Sequence, residues 1–240
     1  MSSARIAVVT GASRGIGRAV ALELARRSWR VVCVARAQRA LEKLDDEIKA
    51  KGLGEATLVP LDLRDGAGID RLGAALLERF GRLDGLAACA GVLGQLTPAH
   101  QATPEIMDEV LTINLLANQR LMRALHPLLR ASDAGRAVFV TSNAKHEARA
   151  YWAPYYASKA GLDMLVQCYA QELAITPVRA NLFSPGPVRT AMRAKAFPGE
   201  DPMTLPPPEE VAPQIAALLE PSCDLNGEVV RFERTPSVSS

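Results

Sequence analysis

Between Tyr151 and Lys159 the chain sets three tyrosines and one lysine within nine residues, YWAPYYASK, where a helix should begin. A phenol with a pKa of about 10 is sluggish in proton transfer near neutrality. A nearby ammonium favours the phenolate and brings that pKa toward working pH. Tyr155 and Tyr156 precede Lys159 by four and three residues, and on a helix both spacings make neighbours. The two rings point about 100° apart, so one can face a cleft while the other packs. Tyr151 precedes the helix and reads as pocket lining. Ser142 ends an apolar, strand-like run thirteen positions before Tyr155.

A second constellation lies near the start. The run IAVVT leads directly into GASRGIG, and a helical pattern follows. Gly11, Gly15 and Gly17 allow a tight turn and close approach to a pyrophosphate, with Ser13, Arg14 and Ile16 completing the cradle. The phosphate would sit at the positive end of the helix. A site for NAD usually carries an acid at the end of the second strand. Here that position is Arg36, and Arg14 lies in the glycine loop itself. Two guanidiniums suit a 2′-phosphate, so NADP(H) is the expected cofactor, with NAD(H) less favoured.

These residues need a scaffold. RIAVVT, RVVCVA, ATLVPL, LDGLAACAG, RAVFVT, VRANLF and GEVVRF read as seven strands, alternating with helical stretches. Their almost unbroken apolar character suits parallel strands buried on both faces. A long helix is expected from Pro104 to about Leu129, with Thr103 as N-cap, and another from Pro154 to Leu173. The last helix should begin near Glu209, and Thr190 to Pro208 is an irregular insertion. The alternation predicts an α/β, doubly wound Rossmann fold with a mainly parallel seven-stranded sheet, a single domain over 1–240. Its cofactor part should run to about residue 140, and its catalytic part with a lid from about 141 onward.

Composition narrows the partners. A net charge of +2 gives no electrostatic reason to expect nucleic acid, and no apolar run reaches membrane-spanning length. The start lacks a signal-peptide core. The four dispersed cysteines read as free buried thiols in a reducing cytoplasm. The three histidines, His100, His126 and His146, show no metal-ligand spacing, so no metal is expected.

Taken in order, TGASRGIG, Asp62-Leu63, the CAG at 89–91, Asn114, Ser142, YYASK and SPGPVRT resemble the short-chain dehydrogenase/reductase family over essentially the whole chain. The segment RTAMRAKAFPGEDP is similar to the bacterial YciK-type reductases. The family's Tyr-x-x-x-Lys pattern selects Tyr155 with Lys159, and its serine spacing selects Ser142. The resemblance implies hydride transfer between a nicotinamide and a carbonyl or secondary alcohol. Tyr155 would supply the proton, Lys159 would also bond the nicotinamide ribose, Ser142 would hold the substrate oxygen and Asn114 a relaying water. Pro185 and Gly186 would bend the chain so that Val188 and Thr190 meet the carboxamide. Asp62 and the Leu63 backbone would approach the adenine, with Ala90 and Gly91 also beside the cofactor. Ala88-Cys89 replaces the family's usual Asn-Asn, and GEVVRFERTPSVSS lacks its glycine-rich closing segment.

The expected activity is an NADP(H)-dependent carbonyl reductase or alcohol dehydrogenase acting on a small molecule. A non-catalytic NADP(H)-sensing protein and an NAD-linked dehydrogenase are the rivals. NAKHEARAYW and the Thr190–Pro208 insertion should wall the pocket, with Tyr151, Trp152, Met192 and Phe197 forming an apolar interior. Arg193 and Lys195 read first as the wet face of a lid helix, and second as partners for an acidic substrate or a carrier. Ile106, Met107, Val110, Leu111, Ile113 and Leu121, with Leu162, Leu165 and Val166, read as surplus apolar surface for a homodimer or homotetramer.

Overall fold

The computed structural model describes residues 4–142 and 148–234. Every strand in its sheet is parallel, in the order β3-β2-β1-β4-β5-β6-β7. The strands are β1 (Ile6–Thr10), β2 (Arg30–Ala35), β3 (Thr57–Pro60), β4 (Gly85–Ala88), β5 (Arg136–Val140), β6 (Arg179–Ser184) and β7 (Val229–Arg231). Between them run α1 (Gly15–Arg26), α2 (Gln38–Ala50), α3 (Gly66–Phe80), α4 (Pro104–Leu111), α5 (Ala117–Arg130), α6 (Ala153–Glu172), α7 (Ala191–Ala196) and α8 (Pro208–Ala217).

Both faces of the sheet are covered, which is why the strands are apolar throughout instead of alternating. Along β2, Val32 and Val34 enter the core shared with α3, α5 and α6. Val31, Cys33 and Ala35 enter the opposite core beneath α1, α2 and α8. Each of these buried valines contributes roughly 1.5–3 kcal/mol by leaving water. The first connections are sharp because local chemistry ends each element. Asp65 caps α3 by accepting from the Gly68 amide (2.8 Å), and Gly81 closes that helix at φ +71°.

Three expectations change. The helix foreseen from Pro104 to Leu129 is interrupted by a π-helical turn, Thr112–Leu116, which separates α4 from α5. One extra residue in the turn redirects α5, and Asn114 sits at its centre. The surplus apolar residues are largely core: Val110, Ile113, Leu121, Leu162 and Val166 are buried. The apolar side chains left exposed in this region are Leu116 (45%) and Met164 (61%). Among the cysteines Cys33 is buried, whereas Cys168 is exposed, against expectation.

Candidate active site

A cleft of about 1220 Å³ opens along the carboxyl ends of the strands. Its first wall is the turn after β1. Gly11 (φ +67°) and Gly15 (φ +57°) adopt conformations that favour glycine. At Gly17 a Cβ would lie 2.5 Å from the Gly11 carbonyl oxygen, so the helix start can close on the turn only without a side chain. Ser13, Arg14 and Ile16 line the same wall, and α1 points its amino end at the cleft. Arg36, the residue after β2, lines it too, with Asp62 and Leu63 from the end of β3. The Asp62 carboxylate is gripped by the Arg64 guanidinium at 2.5 Å; this bond, with the field of Arg36, holds its pKa below the ordinary value. Arg64 carried no sequence signal beyond ordinary charge.

The floor is β4 running out into Cys89, Ala90 and Gly91. The Ala90 amide donates to Thr10 Oγ1 (3.2 Å), which joins the floor to the end of β1. Pro185, Gly186, Val188 and Thr190 form the wall after β6, and the Thr190 hydroxyl caps α7 by accepting from the Arg193 amide (3.2 Å).

At the centre, the end of β5 meets α6. The Tyr155 phenol and the Ser142 hydroxyl share a hydrogen bond. Lys159, 4% exposed, donates from Nζ to the Val140 carbonyl (2.8 Å). One turn further, the buried Asp163 accepts from the Thr141 hydroxyl. Asn114 is fully buried behind this row. Its Oδ1 accepts from the Val92 amide (2.8 Å), and its Nδ2 donates to the Val92 carbonyl (2.9 Å) and to Ser158 Oγ (3.0 Å). Ser158 in turn donates to the Tyr155 carbonyl (2.7 Å), so the π turn and α6 are fastened together.

The electrostatics differ from the expectation that Lys159 draws the phenol down. Burial pushes Tyr155 up to about 12; the bond to Ser142 opposes the shift and Tyr156 adds to it. Burial lowers Lys159 to about 8, with Asp163 and then Cys89 acting against it. Near neutrality the phenol therefore keeps its proton and the lysine its charge. Burial also raises the Cys89 thiol to about 12, so this residue in the floor is neutral.

The family model for short chain dehydrogenases matches residues 5–201. The chain belongs to the short-chain dehydrogenase family. It is an NAD(P)-dependent oxidoreductase, and its strand order and cleft are those such an enzyme uses. It is 36% identical over 211 residues to the uncharacterized oxidoreductase YciK of Escherichia coli K12, covering 87% of this chain and 83% of that one. Two solved structures are similar over 95% of this chain at 35% identity and TM-scores of 0.90. One is a short chain dehydrogenase from Shigella flexneri complexed with NADP, of which 96% is covered. The other, from Escherichia coli CFT073, is complexed with NADPH and is covered over 95%.

In this short-chain dehydrogenase the cleft mouth is aromatic. The Trp152 ring stands 5.8 Å from Tyr155, 5.4 Å from Tyr156 and 5.7 Å from Phe197, centroid to centroid. Arg193 lies 3.7 Å over the Phe197 ring and is held by Glu200 at 2.6 and 2.7 Å. That guanidinium braces α7 against the turn that follows it, and Lys195 reaches the Gly94 carbonyl at 3.4 Å. Met192 also lines the cleft. Tyr151 is placed otherwise than expected: it lies outside the cleft lining, 58% exposed and at φ +72°, with its carbonyl accepting from the Thr97 amide (3.0 Å). Of the NAKHEARAYW wall, residues 143–147 lie outside the described residues, as do 235–240 of the closing segment.

Proposed function

We propose that this enzyme interconverts a carbonyl and a secondary alcohol with NADP(H), using Ser142, Tyr155 and Lys159 with Asn114 in support. The reading rests on one observation above all: Tyr155 bonded to Ser142, and Lys159 one helical turn away, in the cleft that also contains the glycine turn. The glycine turn fits a dinucleotide pyrophosphate because Gly11 and Gly15 take positive φ at the amino end of α1, and the bare Gly17 lets that helix start close on the turn beside the cleft. The bound nicotinamide supplies or accepts the hydride. Ser142 orients the substrate oxygen, and Tyr155, protonated near neutrality, gives it the proton. Lys159 brings a positive charge to the oxygen side of the cleft and to the ribose. Both N–H groups of the Asn114 amide are committed and its Oδ1 accepts from the Val92 amide, while its main-chain carbonyl can hold a water. That carbonyl already accepts from Asn118 (2.8 Å) and has a second lone pair.

NADP(H) is preferred over NAD(H) because Arg14 and Arg36 line the cleft near the adenosine end, where an acid would serve NAD. The NADP and NADPH complexes of the similar proteins agree with that choice. The part up to about residue 140 holds the cofactor, and the remainder carries catalysis and the lid. Leu116 and Met164, exposed on packed elements, favour a homodimer or homotetramer. A cytoplasmic enzyme fits the free thiols. The test is NADPH absorbance across a panel of ketones, acyl thioesters and sugars. Oxidation by wild type and none by Tyr155→Phe is expected. Tight NADPH binding with no oxidation of any carbonyl would replace an enzyme by a sensing protein.

A further inference from the structure

Three consecutive residues at the end of β5 each hold one residue of a single stripe on α6. Ser142 meets Tyr155, Val140 meets Lys159 and Thr141 meets Asp163. The three helix residues are spaced by four, the spacing that stacks side chains on one face. The Thr141 amide also donates to the Phe183 carbonyl (2.8 Å), so the strand end is itself anchored to β6. The first two rungs belong to the proposed catalysis, and nothing yet accounts for the third. Asp163 is 3% exposed, and a carboxylate so deep is costly unless a charge or hydrogen bonds compensate. The Thr141 hydroxyl provides one bond. Lys159 provides the opposite charge one turn away, and its own hydrogen-bond partner, the Val140 carbonyl, is neutral.

We propose that Asp163 is a positioning residue for Lys159, its buried carboxylate being the counter-charge that keeps the ammonium charged and aimed into the cleft. The groups facing Lys159 leave Asp163 this task. Tyr155 on the same helix and Cys89 at the end of β4 both have pKa values raised to about 12 and are uncharged near neutrality. Asn114 and Gly91, also close by, carry no charge. Asp163 acts on Lys159 in the stabilising direction, opposing the effect of burial. The inference rests on the proposed use of Lys159 toward the cofactor, and its test is arranged to fail separately from that use.

Lys159 can be read in the apoprotein by trace acetylation with acetic anhydride against pH, with the labelled peptide quantified by mass spectrometry. NADPH affinity is followed in parallel by fluorescence. Asp163→Asn should lower the labelling midpoint of Lys159 by about one pH unit or more, the usual effect of losing a close opposite charge. NADPH binding should then weaken about fivefold at pH 8 and hardly at pH 6, as the protonated fraction of Lys159 falls. Asp163→Glu, which keeps the charge, should stay near the wild-type midpoint. An unmoved midpoint in Asp163→Asn overturns the inference and leaves Asp163 a packing residue. If Asp163→Asn does not fold, the wild-type midpoint decides, because a buried pair is little screened. A midpoint steady with added salt supports Asp163, and one that drifts strongly with salt assigns the support to surface charge and overturns it. A shifted midpoint with unchanged NADPH binding upholds the inference and counts instead against the cofactor role of Lys159.

Discussion

Replacing Arg36 by alanine isolates what the cofactor's 2′-phosphate would gain from this chain. Arg36 follows the last residue of β2 and shares the cleft wall with Arg14 and Asp62. A charge-assisted hydrogen bond is worth about 1.5–3 kcal/mol net. Arg36 is exposed, and the Asp62 anion feels its field, so the lower figure applies. About 1.5 kcal/mol is roughly tenfold in affinity. Arg36→Ala should therefore weaken NADPH about tenfold and leave NADH almost unchanged. Arg36→Asp should go further, because a second carboxylate beside Asp62 repels the phosphate while offering the NADH ribose an acceptor. The wild-type preference should shrink as salt rises, since exposed charges are screened over about 10 Å at 0.1 M. Fluorescence titration of both reduced cofactors into wild type and the two variants provides the measurement. Equal affinity of the wild type for NADH and NADPH would refute the reasoning, placing Arg36 in solvent rather than on phosphate.

The remaining expectations are as specific. Tyr155→Phe should lose nearly all reductase activity while still binding NADPH, whereas Tyr156→Phe should stay within about tenfold, the loss of at most one hydrogen bond; comparable losses at intact fold would reverse the assignment. Gly17→Ala puts a methyl 2.5 Å from the Gly11 carbonyl oxygen, so it should destabilise by about 1–3 kcal/mol and abolish NADPH binding, read by melting temperature and titration. Lys159, lowered to about 8, is charged below that pH and neutral above it, so reductase activity should decline as pH rises through about 8. Because its folded pKa is depressed, the same group makes stability rise with pH between about 8 and its ordinary 10.5, opposite in sign to the activity. Light scattering should show a dimer or tetramer at micromolar concentration, and Leu116→Glu should shift it toward monomer; a wild-type monomer ends that proposal.

Strands and the glycine turn were legible because their signals are local. β2 runs from Arg30 to Ala35, as its unbroken apolar run predicts. β4 proved shorter than LDGLAACAG suggests, because Cys89 to Gly91 leave the ladder to floor the cleft, and apolar character does not distinguish the two uses. The π turn was invisible for a related reason: the apolar pattern from Ile106 to Leu129 continues across it, and a side-chain period does not count backbone bonds. Tyr151 fell outside the cleft because φ +72° turns it away from its neighbours, a backbone state that adjacency to Trp152 does not encode. Asp163 carries a sequence signal of its own, lying four residues beyond Lys159 as Lys159 lies beyond Tyr155. Yet an aspartate in a helix reads as solvated until the strand that covers it is known.

The π turn at Thr112–Leu116 also constrains how this protein can be re-engineered. A single deletion there would restore a regular helix, an idealisation that propensity alone would reward. It would also rotate everything downstream by about 100°. Leu121, Leu125 and Leu128, all at or near 0% exposure, would swing away from the core they share with α3. Asn114 would lose its register with Val92 and Ser158 in the same step. The irregularity therefore couples two demands, one from the core and one from the cleft, and neither can be relaxed alone. Insertions and deletions should be tolerated in the surface connections and selected against within these five residues, so a deletion scan of the segment would map as a sharp local minimum in recovered folded protein.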